Sequence, residues 1–468
     1  LAATARRRGR QGVASQGRGQ SARVARCASE ADSGVLDCVI VGSGVSGLSA
    51  AFQLLKDRPD AKVAITEARD VIGGNITTRE GNGRLWEEGP NSFQPGDPIL
   101  STACDVGLKD DILLANPDSY RFVWWEGALR ALPASPADAV FGDFLSWPGK
   151  IRAGLGAIGL FRDPAPAYEE SVKQFVSRNL GEEAFERLID PFVSGVYAGD
   201  PSTLSAEAAT GRVQILEKNG GNLVAGAIAL MQKNAAEKET KPPRDPRLPE
   251  VRGQTVGSFR KGLRQFADAL GDANAKKGAA PRLEWRLKKM GWDGTRQEHV
   301  LEYDTPSGPS TLRSKSVILT APTHVTCDLI RPLCADAADA LGEIKYPRVA
   351  AVTVEYDRSA FREPEHGKGI VNGFGQLHPR SQGIRTLGTI YSSSLFPGRE
   401  PDPEKIMLLH YIGGMRDPEL FGGIDNLTDE QIVEATHKDC CKTMLRADKA
   451  GAYPNVLGVR VWTRAIPQ

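Results

Sequence analysis

The chain has 468 residues, 40% hydrophobic and 25% charged, with 59 basic residues against 58 acidic ones. That length exceeds one ordinary core, so two or three domains are expected, and a net charge of +1 excludes the basic footprint of a nucleic-acid binder. No run approaches the ~18 apolar residues of a spanning helix, and seven scattered cysteines without a CxxC or Cys/His cluster read as free thiols, not as a disulfide frame or metal site.

Residues 1–29 carry seven arginines, and the first acidic residue is Glu30. An Arg-rich, acid-poor, weakly apolar leader has the composition of an organelle transit peptide, with removal expected near Arg26-Cys27-Ala28. The competing reading is a disordered basic arm that binds something acidic. A buried strand follows at Cys38 to Val41 and runs into Gly42-Ser43-Gly44-Val45-Ser46-Gly47, after which LSAAFQLLKD is helical. GxGxxG between strand and helix is the dinucleotide-binding turn. Gly42 permits the tight turn, Gly44 lets backbone amides approach a pyrophosphate, and Gly47 lets helix and strand pack closely. In a chain with 50 glycines the motif alone is weak. A second strand, Lys62 to Thr66, ends at Glu67, where an acidic residue accepts from an adenosine ribose. The doublet Gly73-Gly74 six residues later resembles FAD-dependent amine-oxidase-type flavoproteins more than nicotinamide dehydrogenases. In EEGPNSFQP, Gly89 and Pro90 set a rigid turn that presents Asn91 as an uncharged polar group; a plain surface turn is the alternative.

From Pro136 to Gln232 the pattern is helical. Ser171 predicts an N-cap and Gly181 a stop for SVKQFVSRNL, and Phe185, Leu188, Ile189 and Phe192 predict one apolar face for the next helix. In SWPGKIRAGLGAIGLF, Ile151, Leu155 and Ile158 share one side, and Lys150 and Arg152 flank it at roughly 100° each way. Together with Trp147 this suits either a helix lying in a membrane interface or plain core. Residues 233–254 are polar and Pro-rich, as a surface linker would be. A helix (GSFRKGLRQFADAL) and a β-meander from Arg282 to SKSVILTAP follow, and then the strands RVAAVTVEYD, GFGQLHPR, LGTIYSSSLFP and KIMLLHYIGG.

These runs, with DPFVSGVYAGDPSTLS, GQTVGSFRKGL, SKSVILTAPTHV and RVWTRAIPQ, resemble the plastid-type protoporphyrinogen oxidase family from about residue 37 to 468. The resemblance implies an α/β + α+β architecture: a split Rossmann-type FAD-binding domain, an antiparallel-sheet substrate domain and a helical membrane-associating domain. On the chain these fall as a transit peptide (1–34), a first FAD-binding segment (35–118), the helical membrane-associating and substrate region (119–245), a second FAD-binding segment (246–340), the substrate sheet (341–460) and the start of a third FAD-binding segment (461–468). The family continues with a strand and a glycine-rich flavin-binding helix of the form GGNYVAG, which is expected to be missing where this sequence ends at AIPQ.

The implied chemistry is oxidation of protoporphyrinogen IX in three two-electron rounds through FAD, with oxygen as acceptor and hydrogen peroxide as product. A peripheral membrane location in the chloroplast and a homodimer are implied as well. FAD contacts carry over to Gly42–Gly47, Glu67 and Ala68, Gly73-Gly74-Asn75, Glu88-Gly89-Pro90-Asn91 and the backbone of Leu287. Tyr391 matches an aromatic that stacks on the macrocycle, and Leu377 and the Gly195–Ala198 turn match cavity walls. Lys109 stands where some relatives place a propionate-pairing Arg, with Arg121 as its rival. No catalytic base and no metal ligand are implied, because the cofactor carries the redox chemistry. A carotenoid-desaturase-type flavoenzyme and a non-catalytic tetrapyrrole-binding protein are the alternatives.

Overall fold

The computed structural model describes residues 34–133, 138, 141–240, 243–362 and 373–468; the transit-peptide reading falls on 1–34, of which only Gly34 is described. The chain forms two compact units, one of residues up to Ile72 with Leu270–Thr320, the other of Gly73–Ala269 with Ala321–Gln468.

The smaller unit is built on a five-stranded sheet in the order Val63–Thr66, Leu36–Val41, Gly308–Leu319, Glu298–Thr305, Arg286–Asp293. Leu36–Val41 is flanked on both sides by parallel neighbours, with Val39 opposite Ala64 and Val317. Cys38, Val39, Ile40 and Val41 are buried in succession, so both faces of the strand are covered there and its apolar run has no reason to alternate. The remaining two pairings are antiparallel and form the expected meander. Helix Val45–Asp57 buries Gly47, Leu48, Ala51, Phe52 and Leu55, a stripe at helical spacing. Asn274 donates its amide to the Leu48 carbonyl at 2.9 Å.

The larger unit carries a seven-stranded sheet: Asn455–Trp462, Val349–Asp357, Lys405–Gly413, Thr386–Ile390, Gly373–Leu377, Tyr120–Trp125, Ala128–Ala131. Its pairings are antiparallel except that of Gly373–Leu377 with Tyr120–Trp125. The Tyr120–Ala131 hairpin is not foreseen from the sequence, because it joins the sheet across about 250 residues and its run YRFVWW has no clean alternation. One face packs as a core of Val352, Val354, Leu408, Ile412 and Tyr391 against Ile432, Val433 and Cys440 of helix Asp429–Thr443. That helix opens on a capping box, Thr428 with Gln431, a signature legible in TDEQ.

The helical region of this unit departs from expectation in three places. Helix Val172–Leu180 starts on Ser171 and stops at Gly181, as read from the sequence, and Ser171 forms a capping box with Gln174. The next stripe fails, however. Phe185–Ile189 is a π-helical turn, and the extra residue it inserts rotates the residues beyond it, so Phe192 is exposed while Phe185 is buried. The linker begins later than expected, because helix Leu223–Thr240 continues through the polar run KNAAEKET. In helix Trp147–Ala157 the two flanking cations are committed to protein. Arg152 caps the end of the neighbouring helix at the carbonyls of Ser177, Arg178 and Asn179, and Lys150 donates to Gly142 O at 2.6 Å while lying over the Trp147 ring. Gly156 permits this packing: a Cβ there would overlap Asn179 O.

Candidate functional site

The first half-site lies in the smaller unit, at the carboxyl end of the Leu36–Val41 strand, where open α/β sheets bind ligands. Gly42 has φ +106°, and a Cβ there would sit 2.5 Å from Thr320 Oγ1, so the position demands glycine twice over. Thr320 Oγ1 itself donates to Val41 O at 2.9 Å. Gly44 is the N-cap of helix Val45–Asp57, with φ −65° and no side chain to accept from the first-turn amides. That turn holds no acidic residue either, so the helix offers unmet N–H groups and an uncompensated positive end to an anion. Gly47 is required by space, since its Cβ would run into the carbonyl oxygen of Gly42.

Glu67 ends the Val63–Thr66 strand and is buried. Its Oε2 accepts from Ser43 N (3.0 Å) and Ser43 Oγ (2.8 Å), and its Oε1 accepts from Arg69 N (3.0 Å). The glycine turn and the acidic strand end therefore form one hydrogen-bonded cluster. Backbone clasps its other side: Glu67 N donates to Arg282 O and Trp285 N donates to Glu67 O, two residues before Leu287. Ala68 beside it is exposed and Leu287 is buried. The structure thus brings Gly42–Gly47, Glu67 and the start of the Arg286–Asp293 strand together.

The second half-site lies in the larger unit. Gly73 (φ +102°) and Gly74 (φ +62°) make a left-handed turn closed by Ile76 N on Gly73 O. The hairpin Thr78–Gly81 with Arg84–Glu87 carries the chain to Glu88-Gly89-Pro90-Asn91, and Glu88 N returns to Thr77 O at 2.8 Å. A Cβ on Gly89 would overlap Asn75 O, so the two turns are in direct backbone contact. Glu87 anchors them from below. Its buried carboxylate accepts from Leu263 N (2.8 Å), Thr78 Oγ1 (2.8 Å) and Arg399 Nη1 (3.4 Å). Burial pushes the Glu87 pKa up, and Arg399 opposes it. Asn91 is buried, and its Nδ2 has no hydrogen-bond partner among the described residues. A buried amide left this way is costly unless a ligand meets it. Sequence reasoning missed two donors that hold this turn: Trp462 Nε1 to Glu88 O (2.6 Å) and Tyr411 Oη to Gly89 O (3.1 Å).

The expected substrate residues divide. Gly195, on helix Asp190–Tyr197, and Leu377 come into contact, and a Cβ on Gly195 would overlap the Leu377 side chain. Ala198 caps that helix at φ +53° and packs with Val349 and Leu387. Arg121 pairs in register with Gly375, lies 4.9 Å from the Phe374 ring centroid and hydrogen-bonds Thr255; burial lowers its pKa. It is therefore the cation that the structure brings to the Leu377 strand. Lys109 is exposed on the turn Lys109–Asp111, where its charge is felt by Cys104 and Asp245. Tyr391 requires a correction. It is 0% exposed, its hydroxyl donates to Gln376 Oε1 at 2.7 Å, and its ring fills the space beside Gly373. A ring enclosed in this way is core and offers no face to a macrocycle.

Residues 45–468 match the family model of flavin containing amine oxidoreductases. The chain is 51% identical over 436 residues to the chloroplastic protoporphyrinogen oxidase of Nicotiana tabacum, spanning 92% of this chain and 76% of that protein. It is 26% identical over 401 residues to the human protoporphyrinogen oxidase, covering 80% and 77% of the two chains. The chain belongs to the protoporphyrinogen oxidase family of flavin containing amine oxidoreductases. Among solved structures, cyclohexylamine oxidase from Brevibacterium oxydans shares the fold at TM-score 0.60 and 19% identity, over 92% of this chain and 84% of that one. The architecture is an amine-oxidase-like FAD-binding fold, and the protein is an FAD-dependent oxidoreductase. Each half-site suits that cofactor: an uncapped, acid-free helix start for the pyrophosphate, a strand-end carboxylate for the ribose, and an unpartnered buried amide at Asn91.

Proposed function

We propose that this chain oxidises protoporphyrinogen IX to protoporphyrin IX in tetrapyrrole biosynthesis, in three two-electron rounds with oxygen as acceptor and hydrogen peroxide as product. The observation that carries the reading is 51% identity across 92% of the chain to a chloroplastic protoporphyrinogen oxidase. When bound, FAD accepts hydride from the substrate. The protein's role is to hold and orient. The Gly42–Gly47 turn and Glu67 hold the adenosine and pyrophosphate end, and Ala68 and the Leu287 backbone flank it. Gly73, Gly74, Asn75 and Glu88–Asn91 hold the flavin end. Gly195, Ala198 and Leu377 wall the macrocycle, and Arg121 meets a propionate. An exposed Arg121 lying over the Phe374 ring favours a charged substrate over the uncharged one of a desaturase. In the test, protein loaded with FAD is given protoporphyrinogen under air, and porphyrin fluorescence and peroxide are followed. Stoichiometric flavin without porphyrin formation would refute the assignment.

The reading includes a plastid location, peripheral membrane contact and a homodimer. No helix among the described residues is long and apolar enough to cross a membrane. Trp147 (62% exposed), Ile151 (59%) and Phe161 (77%) instead leave one apolar edge of the helical region uncovered, as a helix in a lipid interface does. Val213, Ile228 and Met231 supply a further apolar face for a second copy. Leu155 is only half exposed, so the informative variant is Ile151→Ser with Ile158→Ser. It is expected to release the protein from anionic liposomes in a flotation assay while leaving the melting temperature unchanged. Retained binding together with a lower melting temperature would make these residues packing instead.

A further inference from the structure

We propose that Tyr411 and Trp462 are positioning residues for the flavin-facing turn, and that Tyr411 ties this turn to the wall of the substrate cavity. The proposal rests on the reading that Glu88–Asn91 faces FAD.

Register places both side chains on one face of the seven-stranded sheet. Tyr411 pairs with Ala351, which pairs with Arg460; one step along, Gly413 pairs with Val349, which pairs with Trp462. The alternate residues Val352, Leu408 and Ile412 turn the other way, into the core beneath the Asp429–Thr443 helix. Tyr411 and Trp462 therefore reach together off the far face, on either side of a strand that presents Val349 and Ala351 there. Their two donors meet consecutive carbonyls, Glu88 O for the indole and Gly89 O for the phenol. Two bonds on adjacent peptide planes fix both planes, which one bond would leave free to rock.

Gly89 is wedged as well as bonded. A Cβ there would strike Asn75 O on one side and approach Trp462 Cζ2 at 3.6 Å on the other. A hydrogen bond accepted by the Glu88 carbonyl also polarises its peptide, which makes the Gly89 N–H a stronger donor. Burial pushes the Tyr411 pKa up, so the phenol stays an O–H donor throughout the working pH range.

The Tyr411 ring does something separate from its hydroxyl. It packs on the cluster of Ala198, Val349 and Leu387, and Ala198 is one of the cavity-wall residues. Met415 N, four residues beyond Tyr411, donates to Ala198 O at 2.8 Å. One side chain thus touches the substrate wall with its ring and the cofactor turn with its hydroxyl. Displacement of the wall by a bound macrocycle is transmitted to the Gly89 carbonyl without an intermediate residue.

The two roles separate by mutation. The FAD-loaded protein is diluted, and the rise in free-flavin fluorescence is timed for the wild type, Tyr411→Phe, Trp462→Phe, Tyr411→Leu and Gly89→Ala. The flavin absorption envelope, and kcat and KM for protoporphyrinogen, are measured alongside. Tyr411→Phe and Trp462→Phe should each speed flavin release about three- to tenfold, the loss expected for one neutral hydrogen bond, and shift the absorption envelope. Tyr411→Phe keeps the ring and should leave KM unchanged, whereas Tyr411→Leu should raise KM as well. Release as slow as wild type in both Phe variants, with fast release in Gly89→Ala, overturns the positioning role and leaves the turn in the site. Slow release in Gly89→Ala too shows that the turn does not face FAD, and the proposal falls with it.

Discussion

Gly47→Ala is expected to cost about 3 kcal/mol or more of stability and to leave the protein without FAD. The added methyl would lie inside the contact distance of Gly42 O, 3.1 Å from the Gly42 carbonyl carbon and 3.0 Å from Thr320 Oγ1. Two of these are main-chain atoms of the turn itself, and they cannot swing aside as a side-chain end could. Helix Val45–Asp57 would have to lift off the strand that feeds it, withdrawing the first-turn amides from the pyrophosphate position. Gly44→Ala is the control. Its φ of −65° is open to any residue, so the fold should tolerate the methyl and only cofactor affinity should fall. The pair is read by thermal melting of the apo chain and by flavin titration. A Gly47→Ala protein with unchanged melting temperature and full FAD uptake would remove close packing as the reason for the third glycine.

How much of the site is legible in the sequence depends on how local each feature is. The glycine turn and the Ser171 N-cap each lie within a few residues, and the sequence states them directly. Glu67 is readable as the strand-end acid, but its bonds to Ser43 cross 24 residues. Phe192 defeats the helical wheel because a π turn inserted just before Pro191, whose missing N–H interrupts the helical ladder, changes its phase. Arg152 is ambiguous for another reason: a cation beside an apolar stripe serves equally as a membrane flank or as a cap on a neighbouring helix, and only tertiary packing decides. Tyr411 and Trp462 carry no signal at all, since their acceptors are backbone carbonyls more than 300 residues away. Tyr391 stands just after the Thr386–Ile390 strand, and its enclosure depends on how Gly373, Gln376 and Phe122 pack around it, which the sequence does not state.

Acid is expected to unfold the seven-stranded sheet through two buried histidines. His378 and His410 are each 1% exposed, and burial holds both pKa values down at about 3. The neutral form of His378 is fully matched: Nδ1 lies 2.9 Å from Thr386 O, where it donates, and Nε2 accepts from Gln376 Nε2 at 2.7 Å. Protonation would set N–H against N–H at that second contact. His410 Nδ1 meets Thr389 Oγ1 at 2.8 Å, while its Nε2 is buried without a partner among the described residues, so a proton there would bring unsolvated charge into the apolar core. In the unfolded chain both residues titrate near pH 6.5, so below that pH the unfolded state takes up protons that the folded state refuses. The stability they permit is fully present above pH 6.5 and is lost as pH falls toward 3. At pH 4.5 each has lost about 3 kcal/mol, so that the pair offsets stability on the order of that of an ordinary domain. The buried carboxylates Glu87, Asp190 and Asp439 have raised pKa values and work in the opposite sense, so the raw pH profile mixes both. Subtraction isolates the histidine contribution. The melting-temperature difference between wild type and His410→Leu, followed from pH 7.5 to 4.5, should move steadily in favour of the Leu variant as acid is added. A difference that stays constant across that range would mean that His410 takes its proton in the folded sheet, and the argument from its unpartnered nitrogen would be wrong.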